Sequence, residues 1–556
     1  MNRNRLAFLV ALLFLGGACS KAEKPVAETR AAILPVDDSM PQEGGTVLRR
    51  LAGDIATLNP VMSTSRYDRL LTNLLFTPLV YLDINLNPIP GLAKSWEIAP
   101  DGKSYTFHLD PKATFEDHTP VRASDVLYTV RKIVDPEAEA AQFAGGFEKF
   151  DSKNSHVVDD HTVVLAFTEA LATQFVEFNN VLTIPEHVYS VGDFRTAFIS
   201  RVVGNGPYHL VRRVPGKEIL LERREDYWAK KPYIKDVLFK VIVDDATAWN
   251  AVKRGEIDET AITSDMWQSE HTRPELLRYL DFRRFYTLNY NYIGWNGRNP
   301  LFADKRMRRA MSMCVDLGSL INNLYHGTAR AMSGPFTPDQ WAYNPTVPVV
   351  AYDPDGAQRM LASMGWLDTN GDGILDHNGK PLQFEMLIFA GSQTAIAFSQ
   401  LFQAELRKIG VDVRVAVLEP SVLIQRVLAG KYDAAYLSWE LDPDPDPFKT
   451  MHSSQFAPHG QNFVFYANPE ADQLMADGQR EMNQTKRKAI YQRLHEVLAE
   501  DQPYTWTLQV SYKHVLNRRL RNVKESPQYG LFLWYPGELD WWISRSPQRA
   551  AMLSAR

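Results

Sequence analysis

Cysteine is almost absent from the chain. Cys19 and Cys314 are the only two in 556 residues. Cys19 falls in a segment that reads as an export signal, so the body of the chain keeps one thiol. No internal disulfide is expected, and stability must come from burial. Cys314 lies in the apolar-rich stretch MRRAMSMCVD and reads as a small buried hydrophobe. An excess of positive charge is also missing. Lys and Arg number 61 against 66 Asp and Glu, a formal charge of −5. A nucleic-acid partner therefore has no electrostatic support. Long apolar runs are confined to the first twenty residues, which excludes a polytopic membrane protein. There is no short-period repeat, no heptad array, no GxSxG elbow, no HExxH helix, no P-loop, no GxGxxG and no CxxC. His452 and His459 stand seven apart on an expected loop, a weak metal spacing. An enzymatic reading has no residue-level support.

What is present is an ordinary globular composition: 45% hydrophobic and 23% charged residues. The length suits three or four domains or lobes at roughly 150 residues each. The N-terminus carries Arg3 and Arg5, then an apolar run from Leu6 to Leu15, then Gly16-Gly17-Ala18 ahead of Cys19. This is the order of an export signal, too short to span a bilayer comfortably. Residues 1–18 are expected to be removed. Small residues before Cys19 look like a bacterial lipobox, which would attach lipid to Cys19, although Gly16 stands where Leu is usual. Residues 19–44 are polar and Pro-containing and read as a tether.

Strand and helix signals mix throughout, which points to α/β lobes. Tyr105–Leu109 alternates after the turn Pro100-Asp101-Gly102 and reads as a strand, as do residues 217–224 and 236–243. Ile490, Leu494, Val497 and Leu498 form a helical stripe with Asn483 as a candidate cap. Phe402, Leu406 and Ile409 form another, stopped by Gly410 and followed by an alternating strand. Boundaries are marked at Gly204-Asn205-Gly206-Pro207, near 290–300 and near Pro503. One string has metal-like spacing. Asp368, Asn370, Asp372 and Asp376 place oxygens at positions 1, 3, 5 and 9 of a calcium loop, with Gly373 at position 6. Position 12 is Gly379 instead of the bidentate Glu, so this is a weak calcium site or an Asx/Gly-rich turn. No other cofactor is expected.

Several stretches together resemble the extracellular solute-binding proteins of family 5, the peptide and nickel class that serves ABC importers. They include Thr57-Leu58-Asn59-Pro60, the run LAKSWEIAPDGKSYTFHLDPKATFEDHTPVRASDV at 92–126, Asp226-Tyr227-Trp228, Gly255-Glu256-Ile257-Asp258 and YIGWNGRNPLFADKRMRRAMSMCVD. The likeness runs from about residue 45 to about 525. It implies an α/β, periplasmic-binding-protein-like fold of two lobes with an extra inserted domain and a hinge-bending cleft. By similarity, lobe I takes residues 45–76, 204–291 and 506–545, the inserted small domain 77–203, and lobe II 292–505. It further implies a monomeric, periplasmic or cell-surface receptor that hands peptides or peptide-like solutes to a membrane permease. Nickel chelates, oligosaccharides or opines are the alternative cargo; a cell-envelope hydrolase and a calcium-regulated scaffold are the alternative classes.

The stretch Tyr432–Pro447 is the most informative for a site. It begins as a strand and ends in three Asp-Pro pairs, which cannot continue a ladder and must leave the sheet as a stiff extended loop. Carboxylates at a strand end occupy a usual ligand position in α/β lobes. The resemblance assigns Asp442, three residues after Trp439, to a ligand's α-amino group. Asp444 and Asp446 do not match that position, and a proline-type helix turns them to other faces. By position in similar segments, Trp439, Tyr292, Trp295, Asn296 and Asn462 are expected to line the cleft.

Overall fold

The computed structural model describes residues 40–544, apart from 64 and 459. The expected export signal, Cys19 and His459 lie outside these residues. Three sheets carry the architecture. The largest has seven strands in the order Leu280–Phe285, Tyr512–Asn517, Glu259–Ala261, Thr46–Leu51, Asp236–Val241, Glu218–Arg223 and Tyr208–Val214. Thr46–Leu51 runs parallel to both of its neighbours, and the other pairs are antiparallel. This sheet collects strands from distant parts of the chain. A four-stranded antiparallel sheet is built within residues 93–166 from Ala93–Ile98, Ser104–Leu109, Thr162–Ala166 and His156–Asp159. A mixed sheet orders Asp412–Leu418, Gln383–Phe389, Ala434–Glu440, Asn289–Trp295 and Tyr504–Trp506. The chain passes between the seven-stranded and the five-stranded sheet at residues 286–288 and again over 507–511.

Local chemistry explains most of these elements. Asn483 caps the helix Gln484–Asp501 by accepting from Lys486 N, as its side-chain type suggests. The helix Gln393–Lys408 ends just before Gly410, and the strand Asp412–Leu418 follows. Gly204-Asn205-Gly206 does more than turn the chain. A Cβ on Gly204 would sit 2.0 Å from the Leu75 carbonyl oxygen, and one on Gly206 would sit 2.4 Å from the same carbonyl carbon. Only glycine allows this approach to the end of the helix Arg66–Leu75. Asn205 Oδ1 then accepts from Thr77 N at 2.8 Å.

One core joins the seven- and four-stranded sheets. Two others cover opposite faces of the five-stranded sheet. Ala434 and Tyr436 enter one, and Ala435 and Leu437 enter the other. A strand buried on both faces needs a continuous apolar run, and Ala434–Leu437 supplies it. Cys314 is fully buried, and burial pushes its thiol up to about 12, so it is an unreactive packing residue. Among the described residues, no helix is long and apolar enough to cross a membrane.

Candidate functional site

The strand Ala434–Glu440 delivers the chain to one wall of a cavity of about 460 Å³. Leu441 N donates to Leu288 O at 2.7 Å, the last backbone bond before the Asp-Pro run. Pro443, Pro445 and Pro447 have no N–H to offer, so the sheet cannot continue. The three aspartates then diverge. Asp444 makes a bidentate pair with Arg487, at 2.5 and 2.6 Å, with Arg487 buried and 13% of the Asp444 side chain exposed. Arg487 also donates from Nε to Gly478 O at 2.6 Å. Asp446 accepts from Gln479 Nε2 at 2.7 Å, from Tyr491 Oη at 3.3 Å and from Phe448 N at 3.1 Å. Burial and the nearby Asp444 raise its carboxyl above the ordinary range. Asp442 alone stays open: 63% of its side chain is exposed at the cavity.

Facing this loop is the unit that holds the four-stranded sheet. Its contribution includes Gly145, Gly146, Lys149, Glu169 and Glu177. Glu177 accepts from Asn180 Nδ2 at 3.0 Å and from Lys449 Nζ at 3.3 Å. Lys449 Nζ also lies 3.5 Å from Asp442. Burial disfavours the Lys449 charge, but Glu177, Asp442 and Asp446 outweigh it and raise its pKa above the ordinary lysine value. Burial pushes Glu177 up against the pull of Lys449. Gly146 approaches so closely that a Cβ there would sit 2.4 Å from the Glu177 carboxyl. Beyond this cluster, Ala172 N donates to Gln479 O at 2.8 Å and Arg480 lies 3.6 Å from Glu169. The cavity is thus walled by two separate parts of the chain and holds charges of both signs.

Four of the residues expected to line a cleft are packing and capping groups instead. Tyr292 is buried and stacks on Tyr504 at 4.0 Å. Trp295 is buried, with Nε1 donating to Thr505 Oγ1 at 2.9 Å. Asn296 donates to Gly430 O and Tyr432 O and accepts from Arg298 N, which closes the loop after its strand. Asn462 is fully buried; its Nδ2 donates to Met451 O, His452 O and Tyr466 O, and its Oδ1 accepts from Tyr466 N. Every polar side-chain atom of these two asparagines is engaged by backbone. Trp439 is intermediate. It is partly buried, stacks on Tyr292 and Phe463, and donates from Nε1 to Tyr504 Oη at 3.2 Å. Of the six residues, only Asp442 borders the cavity.

The calcium-like loop is internally satisfied. Asp368 accepts from Gly371 N and Gly373 N, Asn370 from Asp372 N, and Asp372 from Ile374 N. Asp376 takes the backbone N and the hydroxyl of Thr369. These are Asx-turn contacts that point the oxygens at their own backbone. No group of three or more His, Cys, Asp or Glu among the described residues is arranged to hold a metal ion.

Residue reasoning missed Glu177, Lys449, Gly146 and Arg487. Arg487 left a trace, since it falls on the stripe shared with Tyr491, Leu494 and Leu498, where a charge needs a buried partner. Lys449 stands two residues after the Asp-Pro run. Nothing in the sequence links Glu177 to it.

The comparisons with known proteins agree with this architecture. The sequence model described as bacterial extracellular solute-binding proteins, family 5 Middle, matches residues 87–460. The oligopeptide-binding protein AppA of Bacillus subtilis (strain 168) is 28% identical over 555 residues, covering 97% of this chain and 98% of that protein. The solved structure of AppA in complex with a nonapeptide superposes with a TM-score of 0.79 at 26% identity, covering 91% of this chain and all of that chain. NikZ of Campylobacter jejuni in complex with Ni(L-His) gives 0.77 at 24% identity, over 87% of this chain and 96% of that one. The fold is therefore the α/β, two-lobed fold of periplasmic binding proteins.

Proposed function

This chain belongs to the bacterial extracellular solute-binding proteins of family 5, and on that premise we propose that it is the receptor of an ABC importer for peptides or peptide-like solutes. It binds without chemistry and passes its guest unaltered to a membrane permease. It acts as a monomer outside the cytoplasm, held to a membrane through lipidated Cys19. Its division follows the resemblance, with residues 45–76, 204–291 and 506–545 as one lobe, 77–203 inserted, and 292–505 as the other; the sheets change over close to two of these bounds, at 286–288 and 507–511.

The observation that carries this reading is the asymmetry of the Asp-Pro run. Asp444 and Asp446 are engaged by buried partners, while Asp442 offers an exposed carboxylate to the cavity. An ammonium–carboxylate bond contributes about 1.5–3 kcal/mol, and about six backbone hydrogen bonds contribute about 0.5–1.5 kcal/mol each. The sum is roughly 8 kcal/mol, the scale of micromolar binding before ordering costs. Backbone recognition of this kind leaves the guest's side chains free to vary.

Calorimetry with Asp442→Ala tests the assignment. Affinity for free-amine peptides is expected to fall about tenfold or more, with N-acetylated peptides spared. Equal loss for both removes Asp442 from this role. A second reading, an opine or nickel chelate as cargo, is favoured by Lys149, Lys449 and Arg480 at the cavity, which suit a carboxylate-bearing solute. A thermal-shift panel separates the two, since the true ligand class raises the melting temperature.

A further inference from the structure

Lys449 stands between two carboxylates that differ in freedom. Its Nζ lies 3.3 Å from Glu177 and 3.5 Å from Asp442. Glu177 is fixed: 14% of its side chain is exposed, Asn180 holds one oxygen, and Gly146 abuts the carboxyl. Asp442 is 63% exposed, and among the described residues its one salt-bridge partner is Lys449. Lys449, 32% exposed, bridges the two walls of the cavity at this point. The neighbouring Asp444 is balanced by Arg487. Glu177 and Asp442 therefore share the Lys449 ammonium, and Asp446 adds further negative charge around it.

We propose that Lys449 is the resident counter-ion of the amine subsite and sets its selectivity. In the empty protein it shares itself between Asp442 and Glu177. A guest's ammonium takes over Asp442, and Lys449 withdraws onto Glu177. Asp442 and Glu177 then hold one ammonium each. Binding at Asp442 is an exchange of cations, so a guest with a neutral leading end has nothing to exchange and leaves Lys449 in place. Lys449 also keeps the affinity below what an unshared Asp442 would give, because like charges a few ångströms apart repel in a partly dry cavity. This inference rests on the reading of Asp442 above.

Lys449 and its partner Glu177 give variants of opposite sign. Probes are alanine peptides of two to nine residues, free and N-acetylated, measured by calorimetry. Lys449→Met removes the competing cation, and free-amine peptides should bind about three- to tenfold more tightly. Glu177→Gln removes the retreat site and one negative charge, and the same peptides should bind about tenfold more weakly. Lys449→Arg should stay within about twofold of the parent, since the charge is kept. Acetylated peptides should respond to none of the three. Thermal melts check folding, and Lys449→Gln replaces Lys449→Met if the latter melts early. Weakening by both Lys449→Met and Glu177→Gln overturns the exchange, because it marks a structural pair or a lysine that touches the guest. No change with Lys449→Met, while the parent still prefers free amines, overturns the exchange alone. A parent that does not distinguish free from acetylated peptides overturns the reading of Asp442 and the exchange with it.

Discussion

Arg487→Met is the sharpest test of how the Asp-Pro loop is held. The guanidinium makes two bonds to Asp444, at 2.5 and 2.6 Å, and one to Gly478 O at 2.6 Å, with only 6% of its side chain exposed. Without it, Asp444 is a largely buried carboxylate with no cation, beside a second carboxylate, Asp446. Removing one member of a buried pair costs about 3–5 kcal/mol, whereas losing ordinary hydrogen bonds costs about 1 kcal/mol each. The unfolding entropy is about 2.1 cal/mol/K per residue, or roughly 1 kcal/mol/K for a folded chain of about 500 residues. The melting temperature should therefore drop by about 3–5 °C. Differential scanning calorimetry reads this directly. Asp444→Asn together with Arg487→Met should lose less than the sum of the two, with a coupling of about 2 kcal/mol or more, since no lone charge remains. A drop below about 1 °C, or strict additivity, refutes the claim that this pair anchors the loop.

Three other outcomes follow from particular contacts. His495 is buried, accepts from Asn344 N and lies 3.2 Å from Ser333 Oγ, and burial lowers its pKa from 6.5 to about 4. The unfolded chain takes up the proton first as pH falls, so this stability is present above pH 6.5 and is lost between there and about 4. The loss reaches roughly 3 kcal/mol, and chemical denaturation of His495→Gln should show a correspondingly flatter acid limb. In Gly146→Ala the new methyl meets the Glu177 carboxyl rather than backbone, so the carboxyl is pushed off the seat that Asn180 and Lys449 give it. Free-amine peptide affinity should fall severalfold while the melting temperature drops by less than about 2 °C; the reverse pattern contradicts the placement of Gly146 at the cavity. Asp376→Asn weakens the contacts with Thr369 and should cost about 1–2 kcal/mol. The cost should be the same with calcium and with a chelator, and a chelator-dependent difference would restore the loop as a metal site.

Elements with a local cause were legible in the chain. Asn483 caps its helix, Gly410 follows another, and Ser104–Leu109 forms the strand that alternation predicts. The exit of the Asp-Pro run from the sheet was legible too, because proline chemistry acts within two residues. What each aspartate faces was not. Its partners lie elsewhere: Arg487 is 43 residues from Asp444, and Gln479 is 33 from Asp446. The expectations for Trp295, Asn296 and Asn462 failed for a related reason. Indoles and amides that suit a ligand also cap loops and fill cores, and only burial separates the two uses. The Asp368–Asp376 string shows the same ambiguity. Oxygens at alternate positions satisfy either a cation or their own backbone, and here they satisfy the backbone.

The three aspartates share one chemistry and one local motif, so their different roles must come from the groups around them. Two are tied down by buried donors on the segment 479–491 and the third is left open. This division has an energetic consequence. A carboxylate on a mobile loop loses about 0.5–1.5 kcal/mol of side-chain freedom when it meets a guest, and the loop's backbone loses more. A loop stiffened by three prolines and pinned at Asp444 and Asp446 has lost most of that freedom on folding. An amine contact of about 1.5–3 kcal/mol then survives nearly whole, where on a loose loop it would largely vanish. The two pinned carboxylates, which also border the cavity, thus serve the amine contact by holding the third in place.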